Sequence, residues 1–469
     1  MDDITAPDAP AARPDRRQRR RLRTRRRRAF VAVAALVLGL AALAPTVAAG
    51  GGDGPRAAAS GAVAARNPAG ASFEASTLEA IADVQAFWAE ALPATYGFTY
   101  EPIPDSRLYP YTESDPPPAC DGTDRTTPYE DVADNAFYCS LDDFVAWDDQ
   151  SLVPRLRQSY GDFAVALVMA HEWGHAIQAR VDTRLRATVV LELQADCFAG
   201  AWAGDVADRA DGDLTLGTSD LDAALSGYLE FRDPPGTDAR ESGAHGNAFD
   251  RVSAFQDGFR NGTDDCADYE TDPPEVTETG FTSQDDAVNE GNLPFEDVFP
   301  LIADDLETYW SIEATAPVPD VENGAGASCE GDTDGGVLDP GVEYCAGTNT
   351  IVYDRAVLLD VHDEIGDFSV GMMIAAGWSS AVQHDLGEDL GTKAQHRRAE
   401  CLAGAWAGSV ASGDHSTDLS LSPGDLDEAI RTFVAVRGDA TGSGDTAFVR
   451  VEAFRTGFFG GTGACADLS

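Results

Sequence analysis

The chain repeats itself at the scale of a domain, and this limits the folds open to it more than any local pattern does. The run Gly161-Asp-Phe-Ala-Val-Ala-Leu-Val-Met-Ala-His-Glu-Trp-Gly-His-Ala-Ile-Gln178 aligns without a gap to Gly366-Asp-Phe-Ser-Val-Gly-Met-Met-Ile-Ala-Ala-Gly-Trp-Ser-Ser-Ala-Val-Gln383. Further on, Ala195-Asp-Cys-Phe-Ala-Gly-Ala-Trp-Ala-Gly204 meets Ala399-Glu-Cys-Leu-Ala-Gly-Ala-Trp-Ala-Gly408, and Ala248-Phe-Asp-Arg-Val-Ser-Ala-Phe255 meets Ala447-Phe-Val-Arg-Val-Glu-Ala-Phe454. Units this long read as a tandem duplication, not as a solenoid of small repeats. We expect one unit over 73–271, a linker over 272–285 around Asp272-Pro-Pro-Glu275 and a second unit over 286–469; the pattern permits packing of the two against each other without requiring it.

The eight cysteines obey the same duplication: Cys120, Cys139, Cys197 and Cys266, then Cys329, Cys345, Cys401 and Cys465. No Cys-x-x-Cys pair occurs, which argues against a metal role, and an even, duplicated set implies disulfides. Each half allows three pairings. The close pairs bracket Pro/Gly/Asp-rich excursions, and we expect Cys120–Cys139, Cys197–Cys266, Cys329–Cys345 and Cys401–Cys465.

His171-Glu-Trp-Gly-His175 is an H-E-x-x-H pattern in a chain with only seven histidines. On a helix, positions four apart share a face, so His171 and His175 can present two imidazoles to one ion with Glu172 beside it as general base. No proline occurs from Tyr160 to Thr183, and the apolar residues there suit a helix. A catalytic zinc usually takes a third protein ligand. Seventeen residues downstream, Glu192 and Asp196 sit four apart in an Ala/Gly/Trp stretch expected to be a second helix. We take Glu192 as the carboxylate ligand and Asp196 as the acceptor that orients a histidine. Candidates for stabilising a developing oxyanion are His245 and Tyr228.

The second half serves as a control. His171 becomes Ala376, Glu172 becomes Gly377, His175 becomes Ser380, Glu192 becomes His396 and Asp196 becomes Glu400. We therefore expect a single Zn²⁺, in the first repeat, and a second repeat without a metal site. Trp173, Gln178, Asp162, Trp202 and Arg251 have identical counterparts in Trp378, Gln383, Asp367, Trp406 and Arg450, and are expected to serve folding or packing.

Eleven arginines fall between Arg13 and Arg28, and no charged residue lies between Ala29 and Gly52. This is a basic cytoplasmic segment (1–28) before a signal peptide or membrane anchor (29–49), followed by a Gly/Ala-rich tether (50–72). Everything after about residue 50 is then extracytoplasmic, either anchored or secreted. Residues 57–469 hold 21 of the 33 basic and 75 of the 80 acidic residues, a net charge of −54. Such a surface repels phosphate backbones and excludes nucleic acid as a partner of the folded part.

With these motifs in hand, the first half resembles the bacterial putative neutral zinc metallopeptidase family over about residues 73–270. Members carry a basic N-terminus, one membrane-spanning segment, H-E-x-G-H followed by Gln, and a later E-L-Q-A-D-C-x-A-G. Here those elements are His171-Glu-Trp-Gly-His175, Gln178 and Glu192-Leu-Gln-Ala-Asp-Cys-Phe-Ala-Gly200; His245-Gly246 and Arg251-Val-Ser-Ala-Phe255 resemble the family's later motif. The resemblance implies a zinc-dependent peptidase acting on a peptide or protein substrate. By analogy the fold is α+β, a mainly helical zincin-like domain followed by a homologous pseudo-catalytic domain. The competing reading is a non-catalytic, zinc-stabilised extracytoplasmic binding or regulatory protein.

Overall fold

A computed structural model describes residues 65–66, 72–73 and 75–468, except 186, 210–213, 215, 242, 278, 315, 330–335, 391, 414–416, 436–444 and 467. The basic segment, the apolar segment and most of the tether expected from the sequence lie outside the described residues. Among the described residues no helix is long and apolar enough to cross a membrane. The protein is mainly helical with small sheets, an α+β arrangement.

Residues 75–271 begin with helix α1 (Ala75–Tyr96) and a three-stranded sheet of β1 (Leu108–Tyr111), β2 (Ala136–Cys139) and β3 (Phe144–Asp148). Strand β3 is central, parallel to β1 and antiparallel to β2. Every residue of β3 is buried, as a strand covered on both faces must be. Then come α2 (Leu152–Tyr160), α3 (Asp162–Val181), α4 (Thr188–Asp208), α5 (Thr218–Glu230) and α6 (Ala248–Asn261).

The same order of elements follows in 295–460. Helix α7 (Phe295–Glu313) precedes a sheet of β4 (Asp320–Asn323), β5 (Gly336–Asp339), β6 (Val342–Cys345) and β7 (Thr350–Tyr353), in the spatial order β4-β7-β6-β5. Again the first strand pairs in parallel with the last, and again a hairpin partner lies on its other side. Helices α8 (Arg355–Glu364), α9 (Asp367–Asp385), α10 (Lys393–Ser412), α11 (Asp425–Ala435) and α12 (Ala447–Gly460) complete the set.

Residues identical in both halves explain the packing. A Cβ on Gly200 would meet the Phe255 carbonyl oxygen at 2.0 Å, and one on Gly404 would meet that of Phe454 at 2.0 Å. Only glycine lets α4 approach α6, and α10 approach α12, this closely. Trp202 stacks on Phe163 and Trp406 on Phe368, each pair 7° from parallel. The Trp202 indole donates to Asp83 at 2.8 Å, and the Trp406 indole to Asp305 at 2.6 Å. All four expected disulfides are present: Cys120–Cys139, Cys197–Cys266, Cys329–Cys345 and Cys401–Cys465.

The two sets of helices meet through α6 and α12, and the contacts are reciprocal. Asp427 of α11 accepts from the Phe249 amide at 3.0 Å, while Asp222 of α5 accepts from the Phe448 amide at 2.9 Å. Phe249 packs against Phe454 and Phe458, and Phe448 against Phe255 and Phe259. Most of the buried apolar residues of both halves belong to one continuous core; Tyr111, Cys139, Phe144 and Ala146 form a smaller cluster of their own, as do Ala376 and Ala399.

Candidate metal centre

Helix α3 carries the histidine pattern for the reason its spacing gives: His171 and His175 lie one turn apart on one face, their ring centroids 4.8 Å apart. Helix α4 lies against α3 because Gly174 leaves no side chain between them; a Cβ there would come within 2.8 Å of Ala195 Cα. That approach brings Glu192 Oε2 to 3.2 Å from His171 Nε2 and 3.4 Å from His175 Nε2. The ligand atoms of the three side chains all fall within 4.8 Å of one another.

Both imidazoles are oriented from behind. His171 Nδ1 donates to Asp196 Oδ1 at 2.8 Å, and His175 Nδ1 donates to Gln178 Oε1 at 2.9 Å. With Nδ1 holding a hydrogen, Nε2 is the ring atom that faces Glu192 and, once its own proton leaves, offers a lone pair to a cation there. Asp196 is wholly buried and is gripped by Arg251, whose Nε donates to Oδ2 at 2.8 Å and Nη2 to Oδ1 at 3.0 Å. Gln178 is fixed by donating from Nε2 to the Leu191 carbonyl at 2.7 Å.

The donor set fits a zinc ion. Glu192 Oε2 is buried, yet it makes no hydrogen bond despite its two nitrogen neighbours. An anionic oxygen left so would be costly without a cation among the three groups. Two imidazole nitrogens and one carboxylate oxygen form a set that zinc accepts in catalytic sites with an open position.

Electrostatics agree. Burial lowers the His171 pKa, but Asp196 and Glu192 outweigh it and push it up to about 10. His175 is raised too, Glu192 prevailing over burial. Burial pushes Glu192 up, but the two histidines hold it well below the usual carboxylate range. The site thus retains positive charge between its carboxylates, a role a metal cation takes over by displacing protons.

Glu172 sits beside this triad, buried, with Oε2 accepting from the Tyr138 amide of β2 at 2.8 Å. Burial raises its pKa, partly offset by the histidines. All these groups line a cavity of about 660 Å³ that Tyr228 and His245 also reach. The Tyr228 hydroxyl is buried with no hydrogen-bond partner, and Arg251 lies 5.2 Å from the centre of its ring. His245 is half exposed; its backbone amide donates to Asp233 at 2.6 Å and its Nδ1 lies 3.4 Å from that carboxylate.

Gln178, Arg251 and the Tyr138 amide take roles at this site beyond those expected from the residue pattern. Gln178 and Arg251 recur in the second half and were expected to serve folding or packing, but here Gln178 orients His175, and Arg251 holds the acceptor of His171. Three residues after His175 on one helix, Gln178 carried a visible signal. Arg251 opens the Arg251-Val-Ser-Ala-Phe255 motif, which marks the residue without naming its partner Asp196, and the Tyr138 amide contributes through backbone, which leaves no mark on residue type.

The model of the putative neutral zinc metallopeptidase family matches residues 27–269. Uncharacterized protein YpfJ of Escherichia coli K12 is 33% identical over 153 residues, covering 27% of this chain and 50% of that protein. Uncharacterized protein Rv2575 of Mycobacterium tuberculosis H37Rv is 31% identical over 157 residues, covering 28% of this chain and 54% of that protein. The chain therefore spans about half the length of the curated relatives it matches. No solved structure matches it.

Proposed function

The chain belongs to the putative neutral zinc metallopeptidase family, and on that premise we propose that residues 73–271 form a zinc-dependent peptidase with Glu172 as its general base. The observation that carries this is the convergence of His171, His175 and Glu192 on one point of a cavity that also holds Glu172. Zinc, when bound, supplies Lewis acidity that acidifies water and polarises a carbonyl. Glu172 keeps Oε2 on the Tyr138 amide, so Oε1 is the atom that takes a proton from the attacking water and passes it to the leaving amine. The unpartnered Tyr228 hydroxyl is the better candidate for donating to the developing oxyanion; His245 is half exposed and engaged with Asp233.

On this reading residues 286–469 are a duplicate without a metal site, and the protein holds one zinc. Four disulfides support maturation in an oxidising compartment, and the basic–apolar N-terminus supports export or anchoring. A peptide or protein is the substrate.

The test is hydrolysis of unfolded casein with and without a chelator, beside Glu172→Gln and metal analysis. Chelator-sensitive cleavage, lost in Glu172→Gln with zinc retained, is the expected result. Zinc bound without any chelator-sensitive cleavage would instead favour the non-catalytic binding protein.

A further inference from the structure

The cavity is not uniform. It follows one face of α3, and its lining residues on that helix change character along it: Ala164 and Val168 before the metal residues, then His171 and His175. Val168 and His171 are three residues apart, a rise of about 4.5 Å. Apolar residues of two neighbouring helices line the same cavity, Leu152 and Leu156 of α2 and Ala224 and Gly227 of α5, and α2 packs against both α3 and α5.

Gly227 is the unusual member. Glycine is a poor helix former, so each one inside a helix invites a reason. In every other described case within an α-helix the reason is packing, since a Cβ would meet a neighbour closer than 3.0 Å. At Gly227 a Cβ would meet nothing within 4 Å, and the open space is the cavity. The aligned residue in the second half is Thr432, wholly buried, its hydroxyl donating to the Glu428 carbonyl at 2.8 Å. There the position is filled; here it is empty.

We propose that this compartment is the specificity pocket of the site, accepting a large apolar side chain from the substrate residue next to the scissile bond, and that Gly227 sets its depth. The inference rests on the peptidase reading above. Nothing in peptide hydrolysis requires an apolar chamber one turn from the metal ligands, and an apolar chamber gains most from a side chain that displaces its water. Small residues on both flanking helices, Ala164, Ala224 and Gly227, leave room for an aromatic or long aliphatic group.

The test compares the wild type with Gly227→Leu on a mixed peptide library, reading the residues flanking each cleaved bond. The wild type is expected to favour Phe, Leu or Met on one side. Gly227→Leu is expected to shift that position to Ala or Gly and to lower kcat/KM for a Phe peptide by about tenfold or more, mainly through KM. Gly227→Ala, which adds one carbon to open space, shifts preference the same way by less and covers the case in which leucine disturbs folding. A second readout needs no turnover: in a Glu172→Gln background, an uncleaved Phe peptide binds more tightly than its Gly analogue, and Gly227→Leu abolishes the difference. Cleavage without apolar bias, or a bias unmoved by Gly227→Leu, overturns this inference and leaves the peptidase reading intact. Absence of any chelator-sensitive cleavage overturns both.

Discussion

Helices α3 and α9 occupy corresponding places in the two halves, yet one faces a cavity and the other is sealed. In α9 every residue from Asp367 to Gln383 is buried, whereas His171 and His175 of α3 keep partial exposure. The seal has a definite composition. Where α3 has Glu172, α9 has Gly377, and a Cβ there would lie 2.9 Å from Ile351 of β7. Ser380, in place of His175, turns its hydroxyl back onto the Ala376 carbonyl at 3.2 Å. Ala376, in place of His171, packs against Ala399. One helical frame therefore supports either a polar site or a closed core, and small side chains decide which.

The sharpest way to break this contrast is through the metal. His171→Ala is expected to take zinc from about one per chain to none and to abolish hydrolysis, while Ser380→Ala changes neither. Asp196→Ala should weaken zinc by about 10–100-fold, because it removes the acceptor that orients His171. Metal analysis after dialysis at graded free zinc reads all three. Zinc persisting in His171→Ala would place the ion elsewhere.

A graft sharpens it next. Restoring Ala376→His, Gly377→Glu, Ser380→His and His396→Glu supplies the ligand types but not the space, since Ile351 stands where the glutamate must go. The expected outcome is no second zinc and a stability loss of at least about 1–3 kcal/mol from overpacking, read by urea unfolding. A grafted protein binding two zinc ions would show that the lost residues alone, not the closed core, separate the halves.

What could be read before the structure divides along the same line. Side chains whose chemistry is rare and whose spacing matches a helix turn were legible: His171, Glu172, His175, and the Glu192/Asp196 pair on one face. The cysteine pairing followed from two matching sets of four, each with a close pair that brackets a Pro/Gly/Asp-rich excursion. The strands were not legible, because β1 to β3 are four or five residues long and β3 is buried throughout, so no alternation of polar and apolar residues marks it. Arg251 escaped because a residue kept in both halves was expected to serve folding or packing. The reciprocal contact of Asp222 with the Phe448 amide, and of Asp427 with that of Phe249, depends on which helices meet, which residue pattern does not encode.

That contact separates the halves more gently. Asp427 also pairs with Arg232 at 3.0 Å. Arg232 directly follows Phe231, whose carbonyl accepts from Arg251 at 2.9 Å. Asp427→Ala should cost about 1–3 kcal/mol by leaving the Phe249 amide unsatisfied and should also lower hydrolysis. Asp222→Ala should cost a similar amount of stability with less effect on hydrolysis. Equal losses of activity would mean that the second half supports the site only through general stability.

The smallest effect expected is a difference in sign with pH. In the first half, burial works against Asp196, but Arg251 and His171 hold it below the usual carboxylate range. Its stabilisation is present above the unfolded value near 3.8 and is lost as pH falls through the lower folded value. In the second half Asp367, Asp425 and Glu428 are buried together, their oxygens within 4.8 Å. Burial and the charge of Asp367 raise Glu428 to about 8, against the Phe368 amide and Arg431, which favour its ionised form. A raised acid binds its proton more tightly in the folded state, so this contribution is full below 4.5 and disappears as pH rises through about 8. Glu428→Gln, which cannot ionise, should therefore flatten the decline in melting temperature between about pH 5 and 8.5 and leave the acid limb unchanged. A mutant whose alkaline decline matches the wild type would assign that decline to other groups and remove the opposition in sign.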